Sequence, residues 1–256
     1  MKNNNKLCRN KLKNQEFSNI KLKLFLNITL SFLLFNSCQQ EEVTPTTNNP
    51  ISSVSDIDGN QYNTVQIGSQ IWMAENLRTT KFCNGDPIPN VVNDSIWKNL
   101  TTGAWAHYDN DDQYDIPYGK FYNWYAVSDE RNICPCGWHV PTDEEWNTLI
   151  NSLDPNADGG EQVPNVAGGK MKTTGNSHWD EPNQGATNQS SFSAVAAGFR
   201  NDLGTFMSMG YGTGFWTSTM KSTNSVWSRD IVHNNSSAYR NHFIKRDAIS
   251  VRCIKD

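Results

Sequence analysis

The chain has 256 residues, 36% hydrophobic and 19% charged, with nine tryptophans and a formal net charge of −4. Residues 1–37 hold seven basic side chains and one acidic, so the remainder carries 15 basic against 25 acidic residues, a net −10. An acidic surface of that size repels phosphate backbones and argues against a nucleic-acid partner.

In chain order, Lys2, Lys6, Arg9, Lys11, Lys13, Lys21 and Lys23 face one acid, Glu16, and precede an apolar run from Leu24 to Phe35. A run of about a dozen residues is short of the ~20 needed to span a bilayer. A positive flank, a short apolar core and a small residue before a cysteine predict a secretory signal peptide over 1–37. Leu34-Phe35-Asn36-Ser37-Cys38 resembles a bacterial lipobox, which makes Cys38 the expected lipidation site and membrane anchor. The alternative is a plain secretory signal with an incidental cysteine. Location then follows as the cell envelope, an outer-membrane lipoprotein on the periplasmic or surface-exposed face. Residues 38–55 are polar and punctuated by Pro45 and Pro50, and they read as a disordered tether.

Residues 56–256 fit one domain. Tyr62, Val65 and Ile67, then Ile71-Trp72-Met73 across Gly68-Ser69, predict a two-strand hairpin. Ile96, Trp97 and Leu100 group at helical spacing and predict a short helix over 93–100. Phe121, Tyr122, Trp124 and Tyr125 put four rings on one segment and are expected to fill the core, with sugar stacking as the alternative. The clearest element is a helix over about 142–153. Thr142 can cap it, Glu145 can complete a capping box, and Trp146, Leu149, Ile150 and Leu153 form one apolar face. A short helical turn is expected near Lys170-Met171. Strands are expected over 194–199, 214–219, 226–232, 238–243 and 249–254. In the last of these, Ile249, Val251 and Cys253 alternate with Ser250, Arg252 and Ile254, which predicts one buried face. No internal repeats appear. The pattern predicts an α+β fold, an antiparallel sheet with long loops and one main helix.

Cys83, Cys134, Cys136 and Cys253 remain once Cys8 and Cys38 are set aside. An even number in an exported domain predicts two disulfides, with three possible connectivities. A Cys-x-Cys metal site is the alternative, but it lacks neighbouring His or Cys at ligand spacing.

Several stretches carry a resemblance when read together. They are Asp56-Ile57-Asp58-Gly59-Asn60-Gln61-Tyr62, Trp72-Met73-Ala74-Glu75-Asn76-Leu77, Tyr118-Gly119-Lys120-Phe121-Tyr122-Asn123-Trp124-Tyr125-Ala126, Cys134-Pro135-Cys136-Gly137-Trp138-His139-Val140-Pro141, and the ending Ser250-Val251-Arg252-Cys253-Ile254-Lys255-Asp256. The chain from about Asp56 onward resembles the Fibrobacter succinogenes major paralogous domain, a family of surface and secreted proteins of Fibrobacter and Bacteroidota. Such domains are distantly similar to the C-type lectin-like and formylglycine-generating-enzyme folds, which implies a disulfide-stapled, C-type lectin-like architecture. The resemblance implies a Cys134–Cys253 disulfide, and Cys83 and Cys136, extra to the family motif, are expected to pair.

Candidate chemistry is sparse. Asp109, Asp111, Asp112 and Asp115 concentrate carboxylates in seven residues, the ligand type calcium takes, so calcium is the candidate cofactor; the alternative is a solvated acidic loop. Asp154-Pro155-Asn156-Ala157-Asp158-Gly159 mimics the start of an EF-hand loop but lacks its closing Glu. Trp179, Glu181 and Asn183 form a candidate ligand-binding set, since Glu181-Pro182-Asn183 resembles a lectin triplet. Asp94-Ser95-Ile96 resembles a Bacteroidota O-glycosylation acceptor. The five histidines show no zinc spacing, and no Gly-x-Ser-x-Gly elbow is present. Catalytic residues are therefore not assigned. The expected function is a non-catalytic envelope binding module for glycan or surface-protein ligands. The alternatives are a structural or assembly component of a surface complex and, third, an enzyme of the formylglycine-generating type.

Overall fold

The structure is a computed structural model in which residues 52–256 are described; the expected signal peptide, Cys38 and most of the tether lie outside the described residues. The strands in chain order are β1 (Ser53–Ser55), β2 (Gln61–Ile67), β3 (Gln70–Met73), β4 (Trp105–Ala106), β5 (Phe121–Asn123), β6 (Trp138–His139) and β7 (Phe199–Arg200). They continue as β8 (Phe206–Met207), β9 (Gly212–Met220), β10 (Ser225–Val232), β11 (Ala238–Ile244), β12 (Ala248–Ile249) and β13 (Ile254–Lys255). The helices are α1 (Asp94–Trp97), α2 (Asp115–Tyr118), α3 (Trp124–Val127), α4 (Asp143–Leu153) and α5 (Ala167–Met171).

The β2–β3 hairpin forms as the sequence predicts. Gly68 takes φ +59 in its turn, and a Cβ there would run into the Ser152 hydroxyl of α4. Ser53–Ser55, expected within the tether, instead pairs with the free edge of β2 as β1. Asp56 explains why the chain turns between these strands. Its carboxylate accepts the backbone N–H groups of Asp58 and Asn60 and the Tyr62 hydroxyl.

Helix α4 starts where its cap dictates. Thr142 Oγ1 accepts the Glu145 N–H at 3.2 Å, and Glu145 Oε2 accepts the Thr142 N–H at 2.7 Å, the reciprocal capping box. His139 adds a second layer, lying 2.9 Å from Glu145 and 2.6 Å from Asp256. Burial alone would lower the imidazole pKa, but these two carboxylates outweigh it and raise it. The apolar face of α4 lands on a buried aromatic cluster: the Trp146 ring lies 4.7 Å from Trp72, 5.8 Å from Phe192 and 5.6 Å from Phe215.

The sheet order is more divided than a single sheet. Five strands run β1-β2-β3-β13-β6, three run β11-β10-β9, and five run β4-β5-β12-β7-β8. All of these named pairs are antiparallel. With few helices, the class is α+β. The expected strand 249–254 is split: β12 joins one five-stranded sheet and β13 the other. Between them Ser250 bridges Phe215 of β9, accepting from the Trp216 N–H and donating to the Gly214 carbonyl. Expectation and structure differ on burial too, because every residue from Ile249 to Ile254 is buried rather than one alternating face. Residues 248–255 thus thread all three sheets, which leaves no side of 248–254 open to solvent.

The expected strand 194–199 also does not form as such. Ala194 makes an isolated bridge to Lys172, Gly198 takes φ +73, and only Phe199 enters β7. Both expected disulfides are present. Cys134–Cys253 is buried within the core, whereas Cys136 of Cys83–Cys136 is exposed.

Candidate binding cleft

The aromatic run 121–125 separates into two populations. Phe121 and Tyr122 of β5 are fully buried, whereas Trp124 and Tyr125, in the first turn of α3, are half-buried. Asn123 makes that split. Its buried side-chain oxygen caps α3 by accepting the Ala126 N–H at 3.1 Å and also accepts the Ala104 N–H at 3.0 Å. Its amide donates to the Thr102 carbonyl at 2.9 Å. One side chain therefore fixes the helix and the 102–104 segment leading into β4 together. Gly103 permits the contact, since a Cβ there would sit 3.0 Å from the Ala126 Cα. With Ala126 and Val127 turned inward, Tyr125 is left facing outward.

Tyr125 lines a cavity of about 770 Å³ with Phe82, Pro87, Pro89, Thr101, Thr102, Gly103 and residues 128–131. The opposite wall is the loop that Cys83–Cys136 ties down, with the Cys83 N–H donating to Asn132 at 2.7 Å. Arg131 joins the two walls: it lies 4.1 Å over the Phe82 ring and pairs with Asp129 at 2.8 Å and Asp86 at 3.1 Å. Both carboxylates are held below their ordinary range, Asp129 chiefly by Arg131 and Asp86 by Asn84 and then Arg131. Glu130 makes no side-chain hydrogen bond among the described residues. Tyr125 also lines a second cavity, of about 300 Å³, with Asn224, Ile244, Lys245 and Arg246. Aromatic faces, hydroxyls and carboxylates at one hollow can stack on a sugar ring and accept its hydroxyl protons.

The candidate metal and lectin-triplet residues lie elsewhere. Asp111 is occupied with the Gln113 backbone and side chain, and Asp115 pairs with Lys120 at 2.6 Å, while Asp109 and Asp112 make no side-chain bond among the described residues. Among the described residues, no group of three or more His, Cys, Asp or Glu side chains is gathered at metal-ligand geometry. The acidic loop is interleaved with half-buried rings, Tyr108 lying 5.5 Å from Tyr114, Tyr114 6.2 Å from Tyr118, and Tyr118 5.5 Å from His178. In the EF-hand-like stretch, Asp154 spends its carboxylate on the Asn156 and Val166 N–H groups. Trp179 is buried, its indole donating to Thr173 and Ala194, and Asn183 is buried with its amide on Thr173 and Gly175. Of that set only Glu181 presents its side chain to solvent. Ser95 lies exposed on α1, next to Asp94, which pairs with Arg200.

The family model that matches the chain is that of the Fibrobacter succinogenes major domain, over residues 65–255. The chain belongs to this family. No curated protein and no solved structure matches it. The matched span of this Fibrobacter succinogenes major domain starts within β2, after the Asp56–Tyr62 turn, and takes in the cleft, α4, both disulfides and the C-terminal segment. In the sequence Tyr125 is one of four similar rings expected to fill the core, with sugar stacking as the alternative, and nothing in the rings themselves separates it from the other three. The available signal was Asn123, a good N-cap residue immediately before Trp124, which places the next two rings on the first turn of a helix.

Proposed function

We propose that this domain is a non-catalytic binding module of the cell envelope, exported and lipid-anchored at Cys38, which takes a saccharide in the Tyr125 cleft. The observation that carries this reading is Tyr125 itself, a half-buried ring shared by two cavities and flanked by Thr101, Thr102, Asp129 and Glu130. The C-type lectin-like architecture belongs to the same reading. The buried Cys134–Cys253 bridge ties the segment entering α4 to the chain end, and long loops surround a small antiparallel frame. Calcium at Asp109, Asp111, Asp112 and Asp115 is part of the proposal as a separate bound ion, and Glu181 is the accessible member of the second candidate set.

A second reading, assembly into a surface complex, is favoured by one observation. Ile116 is 69% exposed beside the Tyr108, Tyr114 and Tyr118 rings, the kind of apolar patch that protein interfaces cover.

The test is a glycan-array screen of the full chain, run with calcium and again with a chelator, beside the Tyr125→Ala variant. Array binding that Tyr125→Ala removes and chelation spares assigns the cleft without the metal. Binding lost on chelation moves the site to the acidic loop. A blank array under both conditions contradicts the saccharide reading and favours assembly.

A further inference from the structure

The described lysines and arginines of this acidic domain are mostly neutralised or spent on backbone oxygens. Lys81 pairs with Asp58, Lys120 with Asp115, Arg131 with Asp86 and Asp129, Arg200 with Asp94, Arg229 and Arg240 with Asp143, and Lys221 with Glu161. Lys172 and Arg252 are buried against backbone carbonyls. Lys98 and Lys255 are exposed without such partners, and so in part are two adjacent cations, Lys245 and Arg246, which differ in lining the second cavity beside Tyr125. Lys245 has no carboxylate partner among the described residues; its ammonium lies 4.9 Å over the Trp124 ring. Arg246 has only a long contact, 3.8 Å to Asp202, and its buried Nε has no hydrogen-bond partner. The nearest acid in sequence, Asp247, is turned inward, where its carboxylate accepts the Ile244 N–H at 2.9 Å.

The two hollows that share Tyr125 therefore differ in their unspent charge. One holds the Asp129–Arg131 pair and Glu130, unpaired among the described residues; the other holds Lys245 and Arg246. A neutral sugar has no use for the second pair, whereas an anionic substituent gains from two cations there and would meet Glu130 in the first hollow.

We propose that the cleft is specific for acidic saccharides: a sugar ring lies on Tyr125, its hydroxyls face Thr101, Thr102 and Glu130, and a carboxylate or sulfate substituent sits between Lys245 and Arg246. This rests on the Tyr125 cleft being the binding site and adds the ligand's charge and its orientation. Tyr125 and Ile244 supply the apolar walls, and the turn after Ile244 supplies both cations from consecutive positions. That is how one short turn can read a single anionic group.

The experiment measures affinity of the full chain for three probes of equal length: a neutral galactan oligomer, an oligogalacturonate and a sulfated galactan oligomer. The expected result is that at least one acidic probe binds about tenfold or more tighter than the neutral one, with the preference shrinking at high salt. A carboxylate source and a sulfate source are distinguished by which acidic probe wins. The double variant K245Q/R246Q is expected to erase the preference, with its thermal unfolding recorded beside that of the parent chain to report that it is folded. Lys245→Gln alone, at a partly exposed position, is expected to reduce the preference several-fold. Equal affinity for neutral and acidic probes overturns this inference and leaves the cleft reading standing, as does a preference that survives K245Q/R246Q. Binding of none of the three overturns it as well, and together with a blank array removes the cleft reading too.

Discussion

Arg252 shows how a cation can serve as an internal fastener. It is 1% exposed, and its guanidinium donates to Asn76 Oδ1, Met73 O, Phe192 O and Ser193 O, with the Phe192 ring 4.5 Å away. Arg200 does the same for Val91, Val92 and Gly204, and Lys172 for Gln184, Val232 and Asn235. Irregular loops leave carbonyls that no ladder satisfies, and a buried donor with several N–H groups meets that need. Replacing Arg252 by Met strands four oxygens, so urea unfolding should show a loss of about 3–5 kcal/mol. Asp247 supplies a pH signature. Burial, assisted by Asp202, pushes its carboxyl up to about 6 from 3.8. Between those values the folded state holds a proton that the unfolded state has released, so stability falls as pH rises through that window. Asp247→Asn keeps an acceptor for the Ile244 N–H and removes the charge. It should add about 2–3 kcal/mol at pH 7 and little at pH 4, read from denaturant midpoints across pH. The buried role of none of these residues was legible in the sequence. A lysine in a loop-like stretch reads as solvated until long-range contacts close around it.

Elements were legible in proportion to how locally they are determined. α4 needs only Thr142, Glu145 and the spacing of Trp146, Leu149 and Ile150, all within one short stretch, and it forms where the sequence places it. The β2–β3 hairpin and strands β9 to β11 likewise follow from turn residues and alternation. Residues 194–198 misled because apolar residues bury equally well in an irregular segment, and the bridge partner of Ala194 is the distant Lys172. For α3 the determinant is Asn123, whose loss unseats the cap and the Ala104 and Thr102 bonds at once. Asn123→Ala should cost about 2–4 kcal/mol in chemical denaturation and loosen the Tyr125 side of the cleft. The two disulfides differ in access. A mild thiol reductant under native conditions should open Cys83–Cys136, whose Cys136 is exposed, and leave the buried Cys134–Cys253 intact until the chain is denatured. Differential alkylation read by mass spectrometry checks this; prior loss of Cys134–Cys253 would contradict it.

For the molecule as a whole, the decisive feature is the C-terminal segment. Residues 248–255 take part in all three sheets and carry Cys253 and Arg252, so the end of the chain closes the core. The sequence announced strands and a terminal cysteine but not their division, because strand pairing over more than a hundred residues leaves no local trace. The cleft was hidden for the same reason: its two walls, near Phe82 and near Tyr125, meet only through folding. The role proposed for this cleft is to hold a saccharide on Tyr125. The most direct measurement is saccharide affinity of the full chain against Tyr125→Ala, with thermal unfolding recorded for both. Loss of binding by about tenfold or more at an unchanged unfolding temperature is the predicted result. Undiminished binding by the variant would contradict it.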